Sequence, residues 1–349
     1  MRRRRPVPLR RVPRVSVVVP CYNYGRFLPQ SVGSALAQDG VEVDVLIVDD
    51  ASSDDSADVA RALSAQDPRV SMTVHEHNRG HITTYNEGLA AVDGDYVLLL
   101  SADDVLAPGA LARAAAVMDA YPRVGLVYGW SPSFSDQVPP ARTRLPLWSV
   151  WSGQEWLASV FRRAKNPVYT PSAVMRRSAL DRLGGYDQRL KHAADLFMWM
   201  LTASRWDIAH VDGTDQAFYR KHGENMHVAE YDGWVTDLRL RLETLEVFVS
   251  EHCDELADAA ALLERARRAL AADALRMVSA RLSSGAVDQA EVEELLDFAR
   301  TTWPPAAAGA RFRRLASPAA RRGARAVAMG HVLRDRLVWR YWRRFGVYP

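Results

Sequence analysis

Short β-branched runs alternate with helical spacing through the first 130 residues, and nothing else in the sequence restricts the fold as strongly. Val15 to Pro20, Val43 to Asp49, Val70 to Glu76, Tyr96 to Leu100 and Val124 to Tyr128 predict strands, and their unbroken apolar character suits parallel strands buried on both faces. Between them, Arg26 to Gln38, Asp55 to Gln66, Thr83 to Val92 and Pro108 to Tyr121 carry helical periodicity. A strand–helix–strand rhythm of this kind predicts an open, mostly parallel α/β sheet flanked by helices.

After Trp130 the rhythm gives way to SPSFSDQVPPARTRLPLWSVWSG, too rich in Pro and polar residues for a central strand and therefore expected as a loop or flap. Mixed strand and helix patterns return over Pro171 to Tyr219, and Trp234 to Arg300 predicts amphipathic helices. A linker, TTWPPAAA, then leads into a basic tail. The expected divisions are an arm at 1–14, an α/β body at 15–230, a helical extension at 231–300, and a linker with tail at 301–349.

Charge is distributed unevenly along this plan. The net charge of +3 combines +7 over Met1 to Arg14 and +10 over Trp303 to Pro349 with −14 in between. An acidic body with basic ends fits an anionic surface at the ends alone and opposes duplex docking, so no nucleic-acid partner is expected. The bland alternative is an Arg-rich, Ala-rich composition with 42 Arg against three Lys. Only Cys21 and Cys253 are present, which excludes a disulfide framework or a multi-cysteine zinc site and fits a cytoplasmic setting. No apolar stretch reaches the roughly 18 residues that a spanning helix needs, and MRRRRPVPLRR lacks the apolar core of a secretory signal, so the arm is expected to be solvated.

Ligands of doubly wound sheets sit at the carboxyl ends of the strands, which directs attention to the residues that follow each predicted strand. The first such turn, CYNYGRF, has no GxGxxG, which disfavours a dinucleotide oxidoreductase. The second strand ends in Asp49 and Asp50, whose carboxylates can accept from ribose hydroxyls or a base N–H, while Ser52, Ser53 and Asp54 fit helix capping equally well. The fourth ends in Asp103 and Asp104, either a capping pattern or a site for a hard divalent cation. An acid pair repeated at two strand ends shifts the balance toward a cation, because an acidic edge otherwise repels a diphosphate. His75, His77 and His81 alternate as zinc ligands can, but no fourth ligand accompanies them and a polar loop is the better reading.

The ordered set VSVVVPCYNYGRFLPQSVGSALAQ, VDVLIVDDASSDDS, HEHNRGHITTYNEGL, DYVLLLSADDVLAPGAL, GGYDQRLKHAADLFMWM and FYRKHGENM, spanning Val15 to Met226, resembles the inverting glycosyltransferases of family 2. The resemblance implies a GT-A-type nucleotide-diphospho-sugar transferase fold, with a nucleotide-sugar half at 15–130 and an acceptor half at 131–230. It implies a hexosyltransferase-class activity on a nucleotide-diphosphate sugar, UDP-linked by preference, with Mg²⁺ or Mn²⁺ as cofactor. Glycan, lipid-linked, small-molecule and peptide acceptors all stay open.

Carried over residue by residue, Pro20, Tyr22 and Asn23 fall where the family's first loop meets the nucleotide, and Asp49 and Asp50 where an acid meets the base or ribose. Asn78 and Gly80 fall where a loop closes over the base. The family's DxD falls on Ser101, Ala102 and Asp103, so Asp103 is the implied metal ligand and Ser101 replaces the first acid. The Glu-Asp pair falls on Ala194 and Asp195, leaving Asp195 as the implied catalytic base, where capping of the following helix is the competing reading. His222 falls where a histidine helps hold metal or diphosphate, and Arg220 and Lys221 are candidate phosphate contacts. Tyr85 stands where relatives often carry Arg. Because one acid is missing at each of two positions, a nucleotide-sugar binding protein without turnover stays open, as does a nucleotidyltransferase.

In the tail, Leu333, Leu337, Val338, Tyr341, Trp342 and Phe345 recur at helical spacing opposite Arg336, Arg340, Arg343 and Arg344. Such a helix fits an anionic membrane interface, which would make the protein peripheral on the inner face, and fits packing against its own chain equally well.

Overall fold

The computed structural model describes residues 1–144, 147–190, 192–225, 233–284, 288–317, 337–338, 340–342 and 345–347. The chain separates into two compact units. One holds 1–156, 168–222 and 343–346, and the other 157–167, 223–342 and 347–349.

The first unit is built on a nine-stranded sheet in the order β1-β9-β11-β7-β10-β5-β2-β3-β4. Its parallel half comprises β2 (Arg14–Cys21), β3 (Glu42–Asp49), β4 (Val70–Val74) and β5 (Tyr96–Leu99). Val17 of β2 stands between Val45 of β3 and Leu98 of β5, all fully buried, and each such aliphatic side chain contributes about 1.5–3 kcal/mol. Helices α1 (Leu28–Leu36), α2 (Ser56–Gln66), α3 (His81–Ala91) and α4 (Ala110–Ala120) connect the strands. The chain adds β3 and β4 on one side of β2 and then returns to lay β5 on the other, so the loops after β2 and β5 flank a topological switch point.

Beyond β5 the sheet is mixed. Antiparallel β10 (Val174–Arg176) joins β5 to β7 (Val124–Trp130), β11 (Asp207–Asp215) runs parallel to β7, and β9 (Leu147–Trp151) is antiparallel to β11. Here β9 overturns the expectation of a loop. The prolines at 139, 140 and 146 precede LWSVW, and that run is itself aromatic and β-branched enough to bury Trp148, Val150 and Trp151 inside the sheet. The N-terminal arm also departs from a solvated one. Arg2–Arg4 form β1 on the edge of β9, with Arg2 opposite Val150 and Arg4 opposite Trp148, while Arg11 pairs with Asp95 at 2.9 Å and Arg14 with Asp44 at 2.8 Å. The backbone is bound although the side chains stay in solvent, a combination that charge counting does not reveal.

A second, three-stranded sheet, β6-β12-β8, comprises β6 (Val105–Leu106), β8 (Ser133–Phe134) and β12 (Ala217–Arg220). Further helices are α5 (Gly153–Arg163), whose last residues belong to the second unit, α6 (Arg177–Leu183) and α7 (Ala194–Arg205). The second unit contains α8 (Trp234–His252), α9 (Ala259–Ser284), α10 (Gln289–Thr302) and α11 (Ala310–Ala316). Its core holds Leu238, Leu245 and Phe248 of α8 with Ala266, Leu270 and Ala274 of α9, all fully buried. No helix among the described residues is long and apolar enough to cross a membrane. Leu333, Arg336, Arg343 and Arg344 of the predicted tail lie outside the described residues. Of the rest, Leu337 and Tyr341 are exposed, whereas Trp342 is buried and its indole N–H donates to the Pro167 carbonyl at 3.1 Å.

Gly88 fixes how closely α3 lies on the sheet, because a Cβ there would stand 2.4 Å from Val18 Cγ1 and 3.1 Å from Val48 Cγ2. Replacement Gly88→Val must push α3 off β2 and β3 and is expected to destabilise by about 1–3 kcal/mol, read from urea denaturation. An unchanged midpoint would show that α3 can shift without penalty.

Candidate functional site

The loop after β2 and the loop after β3 are tied to each other. Asn23 adopts a left-handed backbone at φ 59°, and its side-chain oxygen accepts from the Ser53 N–H at 2.8 Å. In return Asn23 N–H donates to Ser52 Oγ at 2.9 Å, Tyr24 N–H to Ser56 Oγ at 3.1 Å, and Gly25 N–H to Asp54 at 3.2 Å. Of the residues open to a capping role, Ser52 accepts from this first loop and Ser53 donates to it, while Asp54 accepts both from Gly25 and, at 2.9 Å, from the N–H of Ser56 that opens α2; Asp55, at the cap position, makes no side-chain cap bond. Pro20 is half-buried at the end of β2, and Tyr22 is exposed at 49% on the rim.

Asp49 and Asp50, at the end of β3, are both buried but have different neighbours. One Asp49 oxygen accepts from Ser52 N–H at 3.0 Å. Asp50 receives the backbone N–H of Arg79 at 2.8 Å, that of Gly80 at 2.9 Å, and His75 Nδ1 at 2.8 Å. Burial pushes the Asp50 carboxyl up, but the hydrogen bonds from His75, Arg79, Gly80 and Thr84 outweigh it and hold the group below its ordinary value. Gly80 adopts φ 84° at the start of α3, a conformation open to glycine, and the Asn78 side chain also accepts its N–H at 3.1 Å. His75 is therefore bound to Asp50, with Nε2 at 2.8 Å from Glu87, and Glu87 in turn pairs with Arg79. Glu87 was not singled out by its sequence context, because a lone Glu on a helix carries no strand-end or motif signal.

The second acid pair lies across the switch point. Ser101 is half-buried and its carbonyl accepts from Ser31 Oγ at 3.2 Å and from Asp104 N–H at 3.0 Å. Asp103 and Asp104 are buried, and β6, which follows at once, pairs antiparallel with β12 through Val105 opposite Phe218. That pairing carries the end of β12 back to the acids. Arg220 N–H donates to Asp104 Oδ1 at 2.9 Å, Arg220 Nε to the Asp103 carbonyl at 2.8 Å, and His222 Nε2 lies 3.0 Å from Asp103 Oδ2. The Arg220 guanidinium also bonds Gln30 and lies between the Phe27 and Phe134 rings, at 4.7 and 4.4 Å. Lys221, between them in sequence, is exposed. Burial raises the Asp103 carboxyl despite His222 and Arg220, and raises Asp104 well above its ordinary value with a further push from Asp103. Asp104 Oδ2 is buried with no hydrogen-bond partner.

Asp195 opens α7 as its second residue, half-buried, and one of its oxygens is 2.6 Å from the Leu196 N–H. The loop before it is pinned from α3. Asn86 accepts the Tyr186 N–H at 2.7 Å and donates to the Tyr186 carbonyl at 2.8 Å, a clamp that needs Gly185, where φ is 99° and a Cβ would stand 2.5 Å from Asn86 Oδ1. Tyr85, one residue earlier, joins the two halves. Burial raises its phenol pKa, and the negative charges of Asp103 and Asp195 both add to the shift. One phenol therefore feels the strand-end acid and the helix-start acid together.

No group of three or more His, Cys, Asp or Glu side chains fit to hold a metal occurs among the described residues. Asp103 and His222 offer one carboxylate and one imidazole. That donor set fits Mn²⁺ or Mg²⁺ as these ions are held at phosphate-processing sites, by one or two protein ligands with substrate phosphates and water completing the shell.

A family model described as glycosyl transferase family 2 matches residues 16–184. An uncharacterized glycosyltransferase of Nostoc sp. is 31% identical over 222 residues, covering 62% of this chain and 67% of its own. The succinoglycan biosynthesis protein ExoO of Rhizobium meliloti is 38% identical over 108 residues, 31% of this chain and 30% of its own. Among solved structures, S. aureus TarS 1-349 in complex with UDP-GlcNAc superposes with a TM-score of 0.59 at 18% identity, covering 91% of this chain and 88% of that one. The mannosyltransferase PcManGT of Pyrobaculum calidifontis, in complex with GDP-Man and Mn²⁺, gives 0.50 at 20% identity over 92% and 88%. At these identities the structural likeness establishes the fold.

Two outcomes test the electrostatics. Arg220→Met removes the guanidinium that bonds the Asp103 carbonyl and Gln30 and is expected to destabilise by about 1–3 kcal/mol in thermal or urea melts. Asp50, held below its unfolded pKa, contributes stability that is present above the unfolded value near 3.9 and is lost as pH falls through the folded value. The Tm gap between wild type and Asp50→Asn should accordingly narrow between about pH 6 and about pH 3, and a constant gap would sink this assignment.

Proposed function

The chain belongs to glycosyl transferase family 2, and from that premise we propose that it transfers a sugar from a nucleoside-diphosphate donor, UDP-linked by preference, to an acceptor hydroxyl with inversion at the anomeric carbon. The observation that supports this reading is the end of β5, where buried Asp103 lies 3.0 Å from His222, in the same unit as Asp195 at the start of α7 and with Tyr85 of α3 packed 5.7 Å from Tyr186 in the loop before that helix.

In this reading the first loop, with Tyr22 and Asn23, and the second, with Asp50, receive base and ribose. Asn78 and Gly80 close over the base because Asp50 holds the Arg79–Gly80 backbone in position. Asp103 and His222 would hold Mg²⁺ or Mn²⁺, which supplies positive charge against the diphosphate. Arg220, committed to Gln30, Asp103 and Asp104, acts as a positioning residue, which leaves exposed Lys221 as the nearer phosphate contact. The Asp195 carboxylate takes the acceptor hydroxyl proton as its oxygen bonds to the anomeric carbon and the bond from that carbon to the diphosphate oxygen breaks. Nucleoside diphosphate leaves, and one displacement inverts the centre. General-base assistance of this sort contributes about 100- to 10,000-fold. Ser101 has no charge to offer a cation, so metal affinity rests on Asp103 and His222.

Titration calorimetry with UDP, dTDP and GDP, with and without Mn²⁺, tests the donor side. One nucleotide is expected to bind with metal dependence, and Asp103→Ala to abolish that dependence. Asp195→Asn is expected to bind the same nucleotide as wild type while donor hydrolysis or transfer falls at least about 100-fold. A turnover unaffected by Asp195→Asn would remove it from the role of base.

A further inference from the structure

The second unit contains a cavity of about 330 Å³ with an unusual wall. Six arginines line it: Arg162 and Arg163 from the last turn of α5, Arg265, Arg268 and Arg276 from α9, and Arg311 from α11. The remaining lining residues, Ala269 and Ala272, are small and leave the space open between the guanidinium groups. Positions 265, 268, 272 and 276 recur at three and four residues, so α9 turns a single face toward the cavity.

Six like charges around one small volume repel one another, and the residues that line it are arginines and alanines. Arg276 pairs with Asp273. Asp273 also lies 3.4 Å from Lys165 and 3.4 Å from Arg241, so a single buried carboxylate serves three cations. Arg311 donates to neutral oxygens, the Leu275 carbonyl at 3.4 Å and Ser279 Oγ at 3.3 Å, and Arg268 lies 5.6 Å from the Trp303 ring. Of the two arginines of α5, Arg162 is exposed and Arg163 half-buried.

The wall also defines what can enter. Its side chains are donors or methyl groups, so a ligand must bring acceptors. Guanidinium forks match phosphate oxygens two at a time, and the volume lies at the small end of ligand pockets, about 300–1,000 Å³. We propose that this arginine-lined cavity of the helical unit is a binding site for a diphosphate or comparable multiply charged phosphate group, carried by a soluble metabolite or by a lipid headgroup. The inference stands on the second unit alone and does not rest on the glycosyl-transfer reading.

The test uses the full chain in metal-free buffer without nucleotide, and variants confined to the second unit separate binding at this cavity from binding at any diphosphate site of the first unit. Inorganic pyrophosphate is titrated calorimetrically, and phosphatidylcholine vesicles with and without phosphatidic acid are tested by flotation. The variants are Arg265→Gln with Arg268→Gln, both exposed positions, and separately Arg162→Gln, with circular dichroism to verify folding. Pyrophosphate binding weakened at least about tenfold in the double variant, and less in the single one, identifies a soluble phosphate ligand. Flotation that depends on phosphatidic acid and is lost in the double variant identifies a headgroup. Absence of both interactions in folded wild type, or binding unchanged in folded variants of both kinds, overturns the proposal.

Discussion

Burying carboxylates at the carboxyl ends of parallel strands is the constraint around which the rest of the first unit is arranged. Each buried acid needs donors that the strand itself cannot supply. Asp50 obtains them from the start of α3, which sets the left-handed Gly80 and the position of the loop over the switch point. Asp104 obtains its donor from Arg220 of β12, a strand more than a hundred residues later, and the Asp103 carboxylate faces His222 just beyond that strand, which gives the small second sheet its place beside the large one. The price of the second arrangement is visible in Asp104 Oδ2, buried and unpartnered, and in carboxyl groups that are reluctant to ionise.

Much of this was legible in the sequence because the parallel strands are buried on both faces and so appear as unbroken apolar runs. Strand-end position together with family resemblance singled out the acids, the resemblance alone singled out the histidine, and β-branched spacing placed all five predicted strands to within two residues at each end. What escaped was the geometry that depends on distant partners. LWSVW looked like part of a proline-rich loop until β11 was available to pair with it, and Arg2–Arg4 looked like a charged arm because side-chain charge says nothing about backbone pairing. Arg220 looked like a phosphate contact because its neighbours Phe27, Phe134 and Gln30 come from three separate segments. Tyr85 was notable only as a departure from an expected Arg, and its packing against Tyr186 belongs to tertiary structure.

Arginine serves different purposes in the two units. In the first, an arginine such as Arg220 is enclosed by aromatic rings and fixed by hydrogen bonds, so its charge acts on particular carboxylates. In the second, six arginines face a shared volume. Composition counts both kinds alike, which is why a strong Arg bias carried little information until neighbours were known.

The short strand β1 bears on how the protein behaves at high concentration. Without it, β9 would present a sheet edge whose side chains include Trp148, Val150 and Trp151, an aromatic, low-charge template of the kind on which second chains assemble. Capping that edge with three consecutive arginines replaces a sticky border with one that repels its own copy. The same tripeptide that raises the isoelectric point thus acts as a gatekeeper against self-association, a colloidal role separate from any ligand.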